Sequence, residues 1–245
     1  MIWGDYHIHT TYSGGKIHAT NTPEIILQQA KLKGLKQVGV CDHGINHFCY
    51  GTTPNKIAQL KQKVDFLNSI QSDVKLMLGV EANITSLDGD LDIDRLNLRD
   101  FGVVVAGFHK LVWSKKIFDG VKMSFAQVVG LKDKELKKQF TNSAIKVIKS
   151  NKIDILAHPS YGIPIDVKQI AQVAIDYDVA IELNGKRICM TDEDILYLAS
   201  TNVKLVANSD AHTPDKIGDV SVPFDRLQRL NIPKQRLLNY KNLAF

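Results

Sequence analysis

Apolar residues alternate between two patterns along the chain. Short runs rich in Val, Ile and Leu occupy residues 36–41, 75–80, 103–107, 154–157, 180–183 and 204–207, with 2–8 a weaker seventh. Continuous apolar runs of this length fit strands covered on both faces, as in a parallel sheet. Between them the apolar spacing changes to three and four. Ile25, Ile26, Ala30 and Leu32 follow Thr22-Pro23, which sets a cap and a first-turn proline at a helix start. Ile57, Leu60, Val64 and Leu67 follow Pro54, and Leu136, Phe140, Ala144, Val147 and Ile148 form another stripe. Ile170, Val173, Ala174 and Tyr177 form a further one, and Thr191-x-x-Asp194 has the form of a capping box. Strands alternating with helices predict a single α/β domain over residues 1–245, and about seven such units predict a barrel. An open doubly wound sheet is the alternative, but no GxGxxG follows the first strand. The stretches 44–55 and 110–125 are expected as long loops that build the substrate pocket.

Composition narrows the class. Hydrophobic residues make up 44% and charged residues 23%, enough apolar material for a large core and too much for a disordered chain. No apolar run is long enough to span a membrane, and the start MIWGDYH has neither a basic segment nor an apolar core that would mark it for secretion. Cys41, Cys49 and Cys189 are too few and scattered for a disulfide scaffold, so a reducing, cytoplasmic compartment is expected. The net charge of +5 comes mainly from lysines spread over helical stretches; in the densest run, 132–138, Asp133 and Glu135 are interleaved. That run reads as a solvated helix face. The charge favours an anionic small substrate more than nucleic acid, which would call for clustered arginines.

The histidines carry the chemistry. His7 and His9 form His-x-His in the first strand, where residues two apart share a side. His43 follows the second strand, Glu81 the third, His109 the fourth and His158 the fifth; Asp210 and His212 follow the last. Glu182 and Asn184 end the sixth. In a parallel barrel these strand ends open on one face, so groups far apart in sequence converge there. Imidazoles and carboxylates without a thiolate cluster suit Zn, Mn or Fe(II). The donors exceed what one ion needs, which points to two or three divalent ions and to hydrolysis of a phosphate ester or an amide-like bond. His47, in the aromatic-containing loop 45–50, reads as a surface histidine.

The ordered pieces Asp5-Tyr6-His7-Ile8-His9-Thr10, Asp42-His43-Gly44, Gly79-Val80-Glu81-Ala82-Asn83, Gly107-Phe108-His109, Ala157-His158-Pro159 and Ser209-Asp210-Ala211-His212 resemble the polymerase and histidinol phosphatase (PHP) family. The spelling is most similar to its stand-alone YcdX-type phosphatases. The resemblance implies a distorted (β/α)7 barrel with a trinuclear metal centre at the C-terminal ends of the strands. By that resemblance His7, His9, Glu81 and Asp210 hold one ion. Glu81 bridges to a second ion on His109 and His158. His18, His43 and His212 hold a third. The loop 13–17 is longer than the family pattern, and the helix that follows aligns only if His18 takes the loop ligand's place; a solvent-facing loop histidine is the alternative. The implied reaction is hydrolysis of a small phosphate monoester by a metal-bridging hydroxide, with Zn or Mn, or Fe, as the ions. Asp210 and Glu81 are then catalytic. Asp42 is expected to bond a ligand imidazole and fix its tautomer. Lys110, Lys186 and Arg187 can be phosphate clamps or solvated cations.

Three rival readings remain at this level. An amidohydrolase-type enzyme also opens on His-x-His, but would place a lysine where His109 stands and would leave Glu81, His43 and His212 unexplained. A nuclease could use the same metal centre, but no groove rich in Arg or aromatics is evident. A non-catalytic metal-binding domain would have no reason to keep so full a ligand set.

Overall fold

The computed structural model describes residues 1–93, 100–130 and 133–240. Its first half runs β1 (Gly4–Ile8), α1 (Pro23–Leu32), β2 (Gln37–His43), α2 (Pro54–Ser69), β3 (Lys75–Asn83), β4 (Val103–Gly107) and α3 (Ile117–Val129). The second half runs α4 (Lys134–Ser150), β5 (Ile155–Leu156), α5 (Val167–Asp176), β6 (Ala180–Asn184), α6 (Asp192–Ser200), β7 (Lys204–Asn208) and α7 (Ser221–Arg229). The seven strands pair in chain order and all are parallel, forming the expected nearly closed (β/α)7 barrel. Among the described residues no helix is long and apolar enough to cross a membrane.

The helix starts follow from local chemistry. Thr22 and Thr53 accept from the amides of Ile25 and Lys56, each with a proline at the first helical position. Thr191 and Asp194 close the expected capping box. Two elements differ from expectation. Residues 117–125 of the stretch expected as loop belong to helix α3, which opens without a side-chain cap and turns its apolar positions outward, so no inward stripe announces it. Helix α7 likewise lacks a side-chain cap. Of the lysine-rich run, Lys132 lies outside the described residues, while Lys134, Lys137 and Lys138 are exposed on α4 as expected.

The apolar residues form two layers. One lies between strands and helices. The other fills the barrel interior, where Tyr6, Cys41, Met77, Val105, Ile155 and Val206 pack together. Val103 and Val105 face this interior while Val104 and Ala106 face the helices, the alternation expected of a doubly covered strand. Strand β1 breaks the alternation. Asp5 pairs with Val38 but Ile8 with Val40, so one extra residue is inserted opposite Gly39. This bulge lets Tyr6 fill the interior while Ile8 packs outside. Gly39 permits it: a Cβ there would lie 2.7 Å from the Tyr6 carbonyl oxygen.

Among the described residues no ladder joins β1 to β7; beyond one backbone bond, from the His9 amide to the Ala211 carbonyl (2.9 Å), side chains close this seam. Asn208 Oδ1 accepts from the Tyr6 amide at 3.0 Å, and Asp5 Oδ1 from the Ser209 amide at 3.0 Å. Asn239, fully buried, donates to the carbonyls of Gly4 (2.7 Å) and Ala207 (2.6 Å) and accepts from the Ala207 amide. Asn239→Ala leaves three buried backbone groups unpaired, at about 1–3 kcal/mol each before relaxation. We expect a loss of roughly 3 kcal/mol or more in urea unfolding; a loss near zero would show that the seam closes without this residue.

Candidate metal centre

The nine side chains expected as ligands all meet at the C-terminal mouth of the barrel. Glu81 stands at their centre, held by the extended register of β3, where His43 pairs with Glu81 and Glu81 with Val105. Its Oε1 lies 3.2 Å from His7 Nε2, 3.0 Å from His109 Nε2 and 2.8 Å from His158 Nε2. Its Oε2 lies 3.3 Å from His9 Nε2 and 2.9 Å from His43 Nδ1. Asp210 Oδ1 is 3.2 Å from His9 Nε2. His18 follows a short 3-10 turn, Gly15–Ile17, and stacks on Tyr50 with its ring 4.3 Å from that of His212.

Donor atoms fall into four overlapping triads, each within 4.8 Å: His7, His9 and Asp210; His9, His43 and Glu81; Glu81, His109 and His158; and His9, His18 and His212. The first and third match the expected grouping, with Glu81 adjoining His7 and His9. The expected trio of His18, His43 and His212 is arranged differently. His43 turns to Glu81, and His9 takes its place beside His18 and His212.

The donor set fits divalent cations. His7 Nε2, His18 Nε2, His43 Nδ1 and Glu81 Oε2 are buried without a hydrogen-bond partner. His43 Nδ1 and Glu81 Oε2 are close, but not aligned for a hydrogen bond. Unpaired buried polar atoms are costly, and four of them converging on one space fit a divalent cation. Protonation also favours ligation. Burial, with repulsion from neighbouring imidazoles, pushes His18 down to about 3. Burial outweighs attraction to Glu81 and takes His43 down to about 4. His9 falls well below its ordinary value through burial and His212. Burial opposes ionisation of Glu81 and Asp210, but the facing imidazoles hold both well below the usual carboxylate range. Burial also disfavours charge on His7, yet Glu81, Glu182 and Asp210 outweigh it and raise its pKa.

Supporting residues depart from expectation in three places. Asp42 bonds no imidazole; it accepts from the Thr10 amide at 2.7 Å and the Thr10 hydroxyl at 2.5 Å. Neighbouring residues on a strand face opposite ways, so while His43 points into the site Asp42 ties down the loop after β1. Burial pushes its carboxyl up to about 7 despite those bonds. The orienting carboxylate is Glu182. It accepts from His7 Nδ1 (2.9 Å), the His158 amide (2.8 Å) and the side chains of Asn184 and Asn208 (3.0 Å each). Its place at a strand end was visible in the sequence; its partners were not. His47 is half-buried rather than on the surface, with its ring 4.8 Å from that of His43.

The backbone is strained where it delivers ligands: His158 and Asp210 have φ of 31° and 51°. Such left-handed residues cost about 1–3 kcal/mol and persist where their surroundings hold them. Here the His158 amide is bound to Glu182, and Asp210 Oδ2 accepts from Asn184. The cluster floors a cavity of about 260 Å³, also lined by Tyr161, Lys186 and Arg187. Lys186 Nζ donates to Asp210 Oδ1 at 3.1 Å and lies 2.8 Å from His212 Nδ1.

Comparison with known proteins accords with this geometry. The PHP domain pattern matches residues 5–186. A protein of Shewanella loihica named a probable phosphatase is 27% identical, covering 98% of this chain and 90% of its own. A probable phosphatase of Citrobacter koseri is 27% identical over 96% of this chain and 89% of its own. The crystal structure of histidinol phosphate phosphatase from Lactococcus lactis, complexed with zinc, L-histidinol and phosphate, superposes with a TM-score of 0.64. It is 13% identical and covers 94% of each chain.

Glu182→Gln sets an amide against the donors that Glu182 now receives. Loss of such an orienting partner lowers metal affinity by about 10–100-fold. We expect that drop in competition with a chromophoric chelator, with the far-UV spectrum retained. Unchanged affinity would mean that His7 is oriented without Glu182.

Proposed function

The chain belongs to the PHP domain family, and from that premise we propose that it is a metal-dependent phosphatase acting on small phosphate monoesters. The observation that carries this reading is the convergence of nine ligating side chains, with unpartnered buried donors, on the floor of a small basic cavity. In this reading His7, His9, Glu81 and Asp210 would hold one divalent ion, Glu81 with His109 and His158 a second, and His18 and His212 a third, which His43, its ring 5.0 Å from that of His18, would complete by turning from Glu81. The fit of Zn or Mn follows from the imidazole and carboxylate donors. Bound ions supply Lewis acidity and an acidified water for in-line displacement at phosphorus.

The chain's own residues do the rest. Lys186, already touching two of the ligands, neutralises phosphate oxygens as a point charge, and Arg187 offers a second cation at the cavity wall. Asn184 keeps Asp210 oriented through a 3.1 Å bond, and Glu182, paired with His7 Nδ1, turns His7 Nε2 toward Glu81. Tyr161 flanks His158 and walls off part of the cavity from water. A cavity of about 260 Å³ admits a terminal phosphate and a small organic group, which favours metabolite monoesters over a nucleic-acid strand.

The test uses chelator-stripped protein reloaded with Zn or Mn, and an aryl phosphate monoester alongside the matched diester. We expect metal-restored monoester turnover and a fall of at least about 100-fold in Asp210→Asn. Diester turnover alone, or none with metal bound, would overturn the proposal. Metal analysis should find close to three ions per chain, and one fewer in His18→Ala; an unchanged count in that variant would remove His18 from the ligand set.

A further inference from the structure

Helix α3 is amphipathic the wrong way round. Its inward positions are Met123, Ala126 and Gln127, while Ile117, Phe118, Val121, Phe125 and Val128 are exposed, Phe118 to 90%. A surface helix ordinarily turns its apolar stripe to the core. Here that stripe faces out and is continuous with Trp113, itself 63% exposed. Large exposed aromatics and aliphatics of this number present on the order of 1,000 Å² of apolar surface. That exceeds the roughly 300–600 Å² of the largest patch on a typical monomer.

We propose that this face is the interface of a two-fold homodimer. Three observations select a second copy as its occupant. Phe118, Val121, Phe125 and Val128 repeat at intervals of three, four and three, the seam spacing by which one helix packs against another. The face also carries knob and hole together. Phe118 projects outward, and a groove of about 280 Å³ lies between Trp113, Ile117, Gly120, Val121 and Ser124. A two-fold axis brings each copy's projection to the other's groove, as an isologous contact requires. The area fits as well: a stable pair needs about 800 Å² from each partner.

Charge argues the same way. The lysines at the edges of the face are engaged, Lys116 with Asp88 and Lys122 with Gln139, rather than offered to lipid headgroups or an acidic partner. The face itself is neutral, so two copies meet without like-charge repulsion.

The test is the mass of the full chain in solution at tens of micromolar, by sedimentation velocity and light scattering. We expect twice the 27.4 kDa chain mass. Phe118→Asp and Val121→Asp should each weaken the dimer by about 30-fold or more, as loss of a central apolar anchor does, with the far-UV spectrum and metal content unchanged. Phe66→Asp, at an exposed apolar site on α2 outside the face, should leave the dimer intact. A single-chain mass, another multiple, or a dimer indifferent to Phe118→Asp and Val121→Asp would overturn the proposal. So would a monomer that sediments with phosphatidylglycerol vesicles through Phe118, which would assign the face to lipid.

Discussion

One buried carboxylate organises the mouth of the barrel. Glu81 is almost wholly withdrawn from water, and a charge so placed is costly unless opposite charge or strong donors surround it. The chain surrounds it with imidazoles of two kinds: His7 and His158, whose pKa values the neighbouring carboxylates raise against the pull of burial, and His9 and His43, which burial pushes down. Glu81 Oε2, His7 Nε2 and His43 Nδ1 nonetheless stay buried without hydrogen-bond partners, a donor set that fits a divalent cation. The register of β3 sets Glu81 level with His43, the last residue of β2, and with Val105, two residues before β4 ends.

Getting every donor to that level takes departures from ideal backbone. The bulge in β1 allows Tyr6 to floor the barrel while His7 and His9 still reach the ligand level. Left-handed conformations at His158 and Asp210 turn their side chains inward just past the strand ends. These two residues are each pinned by a polar neighbour, Glu182 at the His158 amide and Asn184 at the Asp210 carboxylate. Beneath them the tightly packed interior supplies rigidity, so the strain is held at the mouth.

Much of this was legible in the sequence. Each of the seven apolar runs became a strand, the threonine-proline pairs opened helices, and all nine expected ligands met. Legibility failed where meaning depends on what lies across space. Asp42 adjoins His43 in sequence, but strand alternation sends it to Thr10 instead. Glu182 looks like any strand-end carboxylate until the fold sets His7 beside it. Asp5 reads as part of a motif, yet its buried carboxylate binds Ser209 and Gly218, more than 200 residues away. Helix α3 escaped detection because periodicity reveals helices that face a core, and this one shows its apolar side to the outside.

The seam between β1 and β7 sets an order of events during synthesis. The donors of the centre span His7 to His212, and the side chain that stitches the first and last strands is Asn239. A ribosome reads these in sequence, so early strands can pair as they emerge while β1 waits with an unpartnered edge. The bond that ties Gly4 to Asn239 spans 235 positions, so the closed barrel requires nearly the whole chain.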